Sequence, residues 1–411
     1  MQASTALLTG IIALCTSAFC QARSFDDIHD DAIVIDSHSD FLDRSAIDGT
    51  ALNDDPPLAQ TSLQKLKDGK VDAQFFSVFV PPAFKNYGFA KRTFELIERF
   101  YSEIETNQDA IKFAGSASEI RSLANSGQIA ALIGIEGGHS IENNLDLLRI
   151  YYRLGVRYMT LTWNNTNEWA DSSGDSHRWG GLNDFGIRVV EEMNDLGMII
   201  DISHVSDETF WDVLEHSRAP VFASHSLARS LKATPRNMSD DMIRALAKNG
   251  GVLQVSFYAK HLDKTFSDRF DAALKASEDR FAAIEKEFSD DPVQQDIALW
   301  SAEKALEQSF PAPSMTRVID HIDHIVGVAG IDHVGIGSDF DGLGAPPVGL
   351  EHAGRFQSIT RELQHRGYSE ADIRKIWGGN LLRVFEAVEQ HRGSITQRQR
   401  VPTTFIGEEK P

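Results

Sequence analysis

From about residue 30 onward, short runs of β-branched and other apolar residues alternate with amphipathic helical stretches, and no other feature of the chain constrains its fold as strongly. Eight such runs are present: Ile33 to Asp36, Ala73 to Val80, Ala130 to Glu136, Arg157 to Thr162, Met198 to Ser203, Pro220 to Ser224, Val252 to Phe257 and His333 to Ser338. Most are continuously apolar, as strands covered on both faces are. Helical periodicity is clearest in Phe89 to Glu105, Gly186 to Leu196, Asp240 to Lys248, Ser314 to Ala329 and Glu370 to Glu389. Eight strand–helix units predict an α/β fold, a (β/α)₈ TIM barrel, with a doubly wound open sheet as the alternative.

Between the seventh and eighth runs, residues 260–313 are too long for an ordinary connection and are rich in Lys, Glu, Asp and Phe at helical spacing. They read as a helical insertion, either a lid over the active end of the barrel or a solvated hairpin. Residues 23–391 form one domain on this reading, followed by a polar tail over 392–411.

The first 22 residues carry no charged side chain, and Ala6 to Phe19 is predominantly apolar, with small residues at Ser17, Ala18 and Ala22. This is the pattern of a cleaved secretory signal over residues 1–22, the alternative being a buried first helix. Both cysteines, Cys15 and Cys20, fall inside it, so the mature body has no thiol and any metal must sit on His, Asp or Glu. No run reaches the roughly 18 apolar residues of a membrane span. A net charge of −20 argues against nucleic acid, because binding phosphates takes a basic surface, and it suits a small zwitterionic or cationic partner.

The chain lacks G-x-S-x-G, H-E-x-x-H, G-x-x-x-x-G-K-[ST] and G-x-G-x-x-G motifs, which removes elbow-type serine hydrolases, zincins and common nucleotide folds. What remains is a set of His, Asp and Glu at the ends of the strands: His38, Asp40, Glu136, His204, His225 and Asp339. Catalytic groups of barrels collect on that face. His38 and Asp40 stand at i and i+2 after an apolar run, so in extended chain both face one way. His321, Asp323 and His324 share a similar spacing but lie in a helical pattern, where packing or surface roles prevail. Three His, one Asp and one Glu suit Zn²⁺ or a similar divalent ion. Five ligands are too many for one open catalytic site and fit two ions with a bridging carboxylate. Two divalent ions, a bridging hydroxide, Asp40 and Glu136 leave one positive charge, which Asp339 cancels.

The motifs together resemble the membrane (renal) dipeptidases, binuclear zinc hydrolases on a (β/α)₈ barrel. They include Ile35-Asp36-Ser37-His38-Ser39-Asp40, Ile135-Glu136-Gly137-Gly138-His139-Ser140, Asp201-Ile202-Ser203-His204, Ser224-His225-Ser226, Arg236-Asn237, Phe257-Tyr258, Gly337-Ser338-Asp339-Phe340-Asp341-Gly342 and Asn380-Leu381-Leu382-Arg383. The resemblance implies that His38 and Asp40 bind one Zn²⁺, His204 and His225 the other, and Glu136 bridges them together with a hydroxide. It implies that Arg236 grips the substrate carboxylate beside Tyr258, and that Asp339 shuttles the proton and orients the substrate amine, with Asp341 as runner-up. It further implies dipeptide substrates, tolerance of a C-terminal D-residue, and a homodimer. Where the animal enzymes carry an oxyanion-binding histidine after strand four, this chain has Trp163, whose indole donates one hydrogen bond and cannot titrate. The tail lacks the hydrophobic C-terminal signal of the lipid-anchored animal enzymes, so a soluble periplasmic or secreted protein is expected. Two other readings stay open: a related hydrolase of N-acyl amino acids, and a noncatalytic metal-binding scaffold.

Overall fold

The structure is a computed structural model that describes residues 24–393. Residues 1–22, read above as a cleaved signal, and the tail from residue 394 onward lie outside the described residues. Among the described residues there are nine parallel strands: β1 (Ile35–Ser39), β2 (Ala73–Phe79), β3 (Ile111–Phe113), β4 (Ile129–Glu136), β5 (Val156–Thr160), β6 (Ile199–Asp201), β7 (Phe222–Ser226), β8 (Val252–Val255) and β9 (Val334–Ile336). Eight of them follow one another in the order β1-β2-β4-β5-β6-β7-β8-β9, while β3 pairs only with β4, outside that path. A parallel bridge between Ser39 and Phe340 brings the ends together, so the sheet is the expected (β/α)₈ barrel rather than an open one. The eight predicted runs correspond to the eight barrel strands, and β3 was not foreseen.

Alternation along the strands separates two cores. Ile35, Ala73, Phe75, Ala130, Leu132, Ile199, Phe222 and Val252 cluster with Leu381, Leu382, Phe385 and Val388 of the C-terminal helix. Residues of opposite parity, such as Phe76, Val78, Ala131, Ile133, Ile200 and Leu253, join the larger cluster that includes the surrounding helices. The first set fills the barrel interior and the second its outer shell, as period-two side chains require. The interior file of β4 runs Ala130, Leu132, Gly134 and Glu136, so Glu136 ends an apolar column at the C-terminal rim. Gly134 is needed there: a Cβ at this position would lie 1.9 Å from the Tyr158 ring.

The helix foreseen over Glu370 to Glu389 is broken by a π segment, Lys375–Gly379, between Glu370–Arg374 and Asn380–Gln390. The close approach of Gly378 to the Ile33 carbonyl, where a Cβ would sit at 2.3 Å, and the Asn380 side chain donating to the carbonyls of Ile331 and Val334 tie this turn to the barrel. The insertion between β8 and β9 folds as helices Ala259–Leu262, Lys264–Ala276, Glu278–Glu287 and Pro292–Glu307. It packs on a small core of its own, Phe266, Phe270 and Ala345 with Leu306 and Phe310 beside them. No helix among the described residues is long and apolar enough to cross a membrane.

Candidate metal centre and its cavity

At the C-terminal rim the strand ends deliver His38, Asp40, Glu136, His204 and His225 to one pit. His38 Nε2 lies 3.7 Å from Asp40 Oδ1 and 3.5 Å from Glu136 Oε2. Glu136 Oε1 lies 3.0 Å from His204 Nε2 and 3.3 Å from His225 Nε2. The donor atoms of His38, Glu136 and His225 fall within 4.8 Å of one another, as do those of His38, Asp40 and Asp339. One expectation about local geometry is corrected. His38 is inside β1, not after it, and Asp40 is not extended (φ −89°, ψ 25°) but caps the following helix, Phe41–Asp48. The two side chains meet because the chain turns at the rim and β1 is irregular between Asp36 and Ser39, not because i and i+2 share a strand face. The Asp40 side chain makes no capping hydrogen bond, which leaves its carboxylate to the pit.

The hydrogen of each imidazole is assigned by its neighbours. The Tyr158 hydroxyl donates to the Ser37 carbonyl at 3.2 Å, so it accepts from His38 Nδ1, 2.8 Å away. Ser224 Oγ donates to Asp201 Oδ2 at 2.5 Å and therefore accepts from His225 Nδ1 at 2.8 Å. Asn164 Oδ1, an acceptor, lies 3.0 Å from His204 Nδ1. All three Nε2 atoms thus face the pit, the arrangement that outer partners impose on metal-ligating histidines. His204 Nε2 and His225 Nε2 are 2.9 Å apart, two lone pairs that repel unless a cation lies between them. His38 Nε2 and Asp40 Oδ1 are buried without a hydrogen-bond partner. Together with the oxygen and nitrogen donor set, these features fit a pair of divalent ions.

Electrostatics agree. Burial pushes His204 down to about 4, with Arg236 adding to it, and holds His225 well below its ordinary value, with His38 and Arg236 adding to that. Both imidazoles are neutral, as metal-binding histidines must be. At His38 burial also disfavours the cation, yet Glu136 and Asp40 outweigh it and raise the imidazole to about 10. The pit draws positive charge to itself. Burial pushes Asp339 up to about 7, and Ser256 Oγ donates to its Oδ2 at 3.3 Å. His204 and Asp339 are both left-handed, with φ of 66° and 67°, a backbone that non-glycine residues adopt at a cost and that recurs at functional sites.

A cavity of about 180 Å³ opens over the pit. Arg236 lines one side, held by the His225 carbonyl at 2.7 Å and Ser226 Oγ at 3.3 Å, with Tyr258 beside it. Trp163 also lines it, its ring 4.8 Å from that of Phe79. All nine residues singled out in the sequence therefore border this cavity or the pit beneath it. Asp341 does not line the cavity: it accepts from the backbone of Gln60 and Thr61 and pairs with Arg44 at 3.0 Å, which removes it as a proton shuttle. His321 bonds the backbone of Ala228 and Leu262, His324 pairs with Asp240, and Asp323 with Arg366, all structural roles. Sequence reasoning missed Tyr158, Asn164, Asp201 and Ser224, which orient the ligands, and Trp300, Glu303, Lys304 and Glu307, which the insertion adds to the cavity wall. Asp201 and Ser224 stood within the quoted motifs. Nothing in the sequence marked the others.

The sequence profile of the membrane dipeptidase family (peptidase family M19) matches residues 22–399. Dipeptidase verJ of Clonostachys rogersoniana is 34% identical over 344 residues, 81% of this chain and 77% of that protein. Dipeptidase 3 of Mus musculus is 36% identical over 359 residues, 84% of this chain but 61% of its own length, so this chain spans less than two thirds of that relative. Among solved structures, the probable dipeptidase PvdM from Pseudomonas aeruginosa superposes with a TM-score of 0.77 at 29% identity, over 89% of this chain and 98% of that one. A metallo peptidase from Rhodobacter sphaeroides, solved with a phosphinate mimic of the dipeptide L-Ala-D-Ala, shares the fold with a TM-score of 0.70 at 22% identity, over 87% of this chain and all of that one. A profile match over nearly the whole chain and relatives above 30% identity lead to one conclusion: this protein belongs to the membrane dipeptidase family of metallopeptidases.

Proposed function

We propose that the protein hydrolyses the single peptide bond of free dipeptides, including those with a C-terminal D-residue, with two Zn²⁺ ions held by His38, Asp40, Glu136, His204 and His225. The observation that carries this reading is the three-histidine, two-carboxylate pit facing a buried guanidinium across one small cavity. When bound, the ions supply an activated water and polarise the scissile carbonyl. Glu136, within reach of all three histidines, is the shared ligand. Arg236 binds the substrate carboxylate through paired charge-assisted hydrogen bonds, which fixes the C-terminal end of a dipeptide. Asp339 takes the proton released on attack and returns it to the departing amine, and its carboxylate orients the substrate ammonium. Tyr258 and Trp163 border the two ends of the bound substrate. With a charge clamping each end, a longer peptide would lose one of the two contacts. The phosphinate-bound fold neighbour from Rhodobacter sphaeroides is consistent with this substrate class. Export through the N-terminal signal and a homodimeric assembly complete the proposal.

The test is hydrolysis of L-Ala-L-Ala and L-Ala-D-Ala by the mature protein, stripped of metal and reconstituted with Zn²⁺. Zinc-dependent cleavage of either, with two ions per chain, is the expected result. No cleavage of either at full metal loading would refute it.

A further inference from the structure

A second cavity of about 140 Å³ adjoins the first. Asp43, Phe79, Trp163, Trp300 and Glu303 line both, so the aromatic residues stand at the boundary between them. Beyond that boundary the second cavity is walled by Ile47, Pro81, Phe84, Ile297 and Leu299, with Asp296 and Arg92 among them. Its charged lining is thus three carboxylates, Asp43, Asp296 and Glu303, against one guanidinium. Arg92 is already engaged, lying 3.4 Å from Asp43 Oδ1 and stacked over the Phe84 ring. Asp296 and Glu303 stand on the same helix of the insertion, seven residues apart, and so on one face. Burial raises both, Asp296 to about 6, with Lys260 offsetting the effect in part at Glu303.

We infer that this second cavity is a subsite for the side chain of the substrate's N-terminal residue, and that it selects a basic side chain, lysine or arginine. The inference rests on the dipeptidase reading for its orientation. Arg236 lines the first cavity alone while Phe79 and Trp163 line both, so with the carboxylate end at Arg236 the N-terminal side chain is directed to that shared boundary. An aliphatic stem passing between Phe79, Trp163 and Trp300 fits apolar walls; the Lys304 ammonium already covers the Trp300 ring at 3.5 Å, so a cation beyond them meets the Phe79 and Trp163 faces and the carboxylates. An anionic side chain would meet the same carboxylates with the opposite sign. The helix supplying Asp296, Glu303 and Trp300 belongs to the insertion, so specificity is carried by a segment separate from the strand ends that carry the metal ligands.

The experiment compares kcat/KM of the zinc-loaded enzyme for L-Lys-L-Ala, L-norleucyl-L-Ala, L-Glu-L-Ala and L-Ala-L-Ala. Norleucine has nearly the length of lysine without its charge. The expected result is L-Lys-L-Ala above norleucyl-L-Ala by about tenfold, the scale of a partly shielded ion pair with cation–π support, and L-Glu-L-Ala lowest. Asp296→Asn should reduce the lysine-to-norleucine ratio several-fold, and Asp296→Lys should invert it, with L-Ala-L-Ala turnover unchanged in both. Asp296 is half-buried on a helix surface, so neither change threatens the fold. Cleavage of L-Ala-L-Ala with equal rates for lysine and norleucine overturns the subsite and leaves the dipeptidase reading standing. A ratio that survives Asp296→Lys also overturns it. Failure to cleave any of the four substrates overturns both readings.

Discussion

The strand-end pit and the insertion wall border the same cavity but are held in opposite ways. In the pit each histidine is fixed through Nδ1, at His38 and His225 by a partner that is itself bonded, Tyr158 to Ser37 and Ser224 to Asp201, and at His204 by Asn164. Asp201 also accepts from Thr160 at 2.5 Å and from the amides of Ser203 and Ser224 at 3.0 and 2.8 Å. Asp36 does the same for the seam between β1 and β9, accepting from Ser338 at its amide and hydroxyl and from Gln74. The insertion helix Pro292–Glu307 buries only Ala302 and Glu307 fully. Its polar ties to the barrel side are Lys304 Nζ to the Asp341 carbonyl and Glu307 accepting from the Gly344 amide at 2.6 Å and from the Tyr258 hydroxyl. A preorganised pit suits chemistry, where misplacing a ligand is costly. A lightly tied wall suits selection among substrates, where side chains can vary without disturbing the ions.

That contrast is open to direct attack. The largest effect is expected from Glu136→Gln, which removes the shared ligand and should lower kcat by ~10³-fold or more with loss of at least one zinc per chain, read by steady-state kinetics and metal analysis. Retention of both ions and near-normal turnover would show that the pit does not depend on its central carboxylate. Next is Arg236→Met, expected to lower kcat/KM for free dipeptides by about 10–10²-fold, the worth of charge-assisted hydrogen bonds, while barely changing it for C-terminally amidated analogues. Equal losses on both would remove Arg236 as the carboxylate group. Asp201→Asn touches no ligand directly, yet it should weaken zinc binding about 10–100-fold by loosening Ser224 and so His225, measurable by competition with a chelator. An unchanged affinity would mean the outer partners are ornamental. The smallest effect should come from the other region: Lys304→Met, which releases the insertion from Asp341, should change L-Ala-L-Ala turnover less than about fivefold and lower stability by about 1 kcal/mol, read by thermal unfolding. A loss as large as that of Asp201→Asn would erase the distinction between the two regions.

Much of the site was legible because barrel chemistry is tied to strand ends, and strand ends can be read from where apolar runs stop. Glu136 closes the run Ile129–Glu136, and His225 lies one residue beyond the run foreseen to end at Ser224, inside the observed β7. Asp40 does reach the pit, but not through the strand alternation argued for it, since the chain leaves extended conformation there. Asp341 shows the limit of motif reading. It is two residues from Asp339 and equally acidic, but its φ of 68° turns it toward Gln60, Thr61 and Arg44. The strand β3 escaped notice because three residues at the edge of the path carry too little periodicity to separate from a loop.

Local patterns settled the element types, the parallel barrel and the set of His, Asp and Glu at the rim, because period-two burial and strand termination are properties of short stretches of chain. Folding in three dimensions settled which groups meet across it. Tyr158 reaches His38 only because Gly134, on a neighbouring strand, leaves room for its ring. Asn164 reaches His204 from a different loop. The helix of Asp296, Trp300 and Glu303 joins the cavity from an insertion whose own sequence says only that it is helical. Such contacts join residues tens to hundreds of positions apart, and no spacing along the chain encodes them.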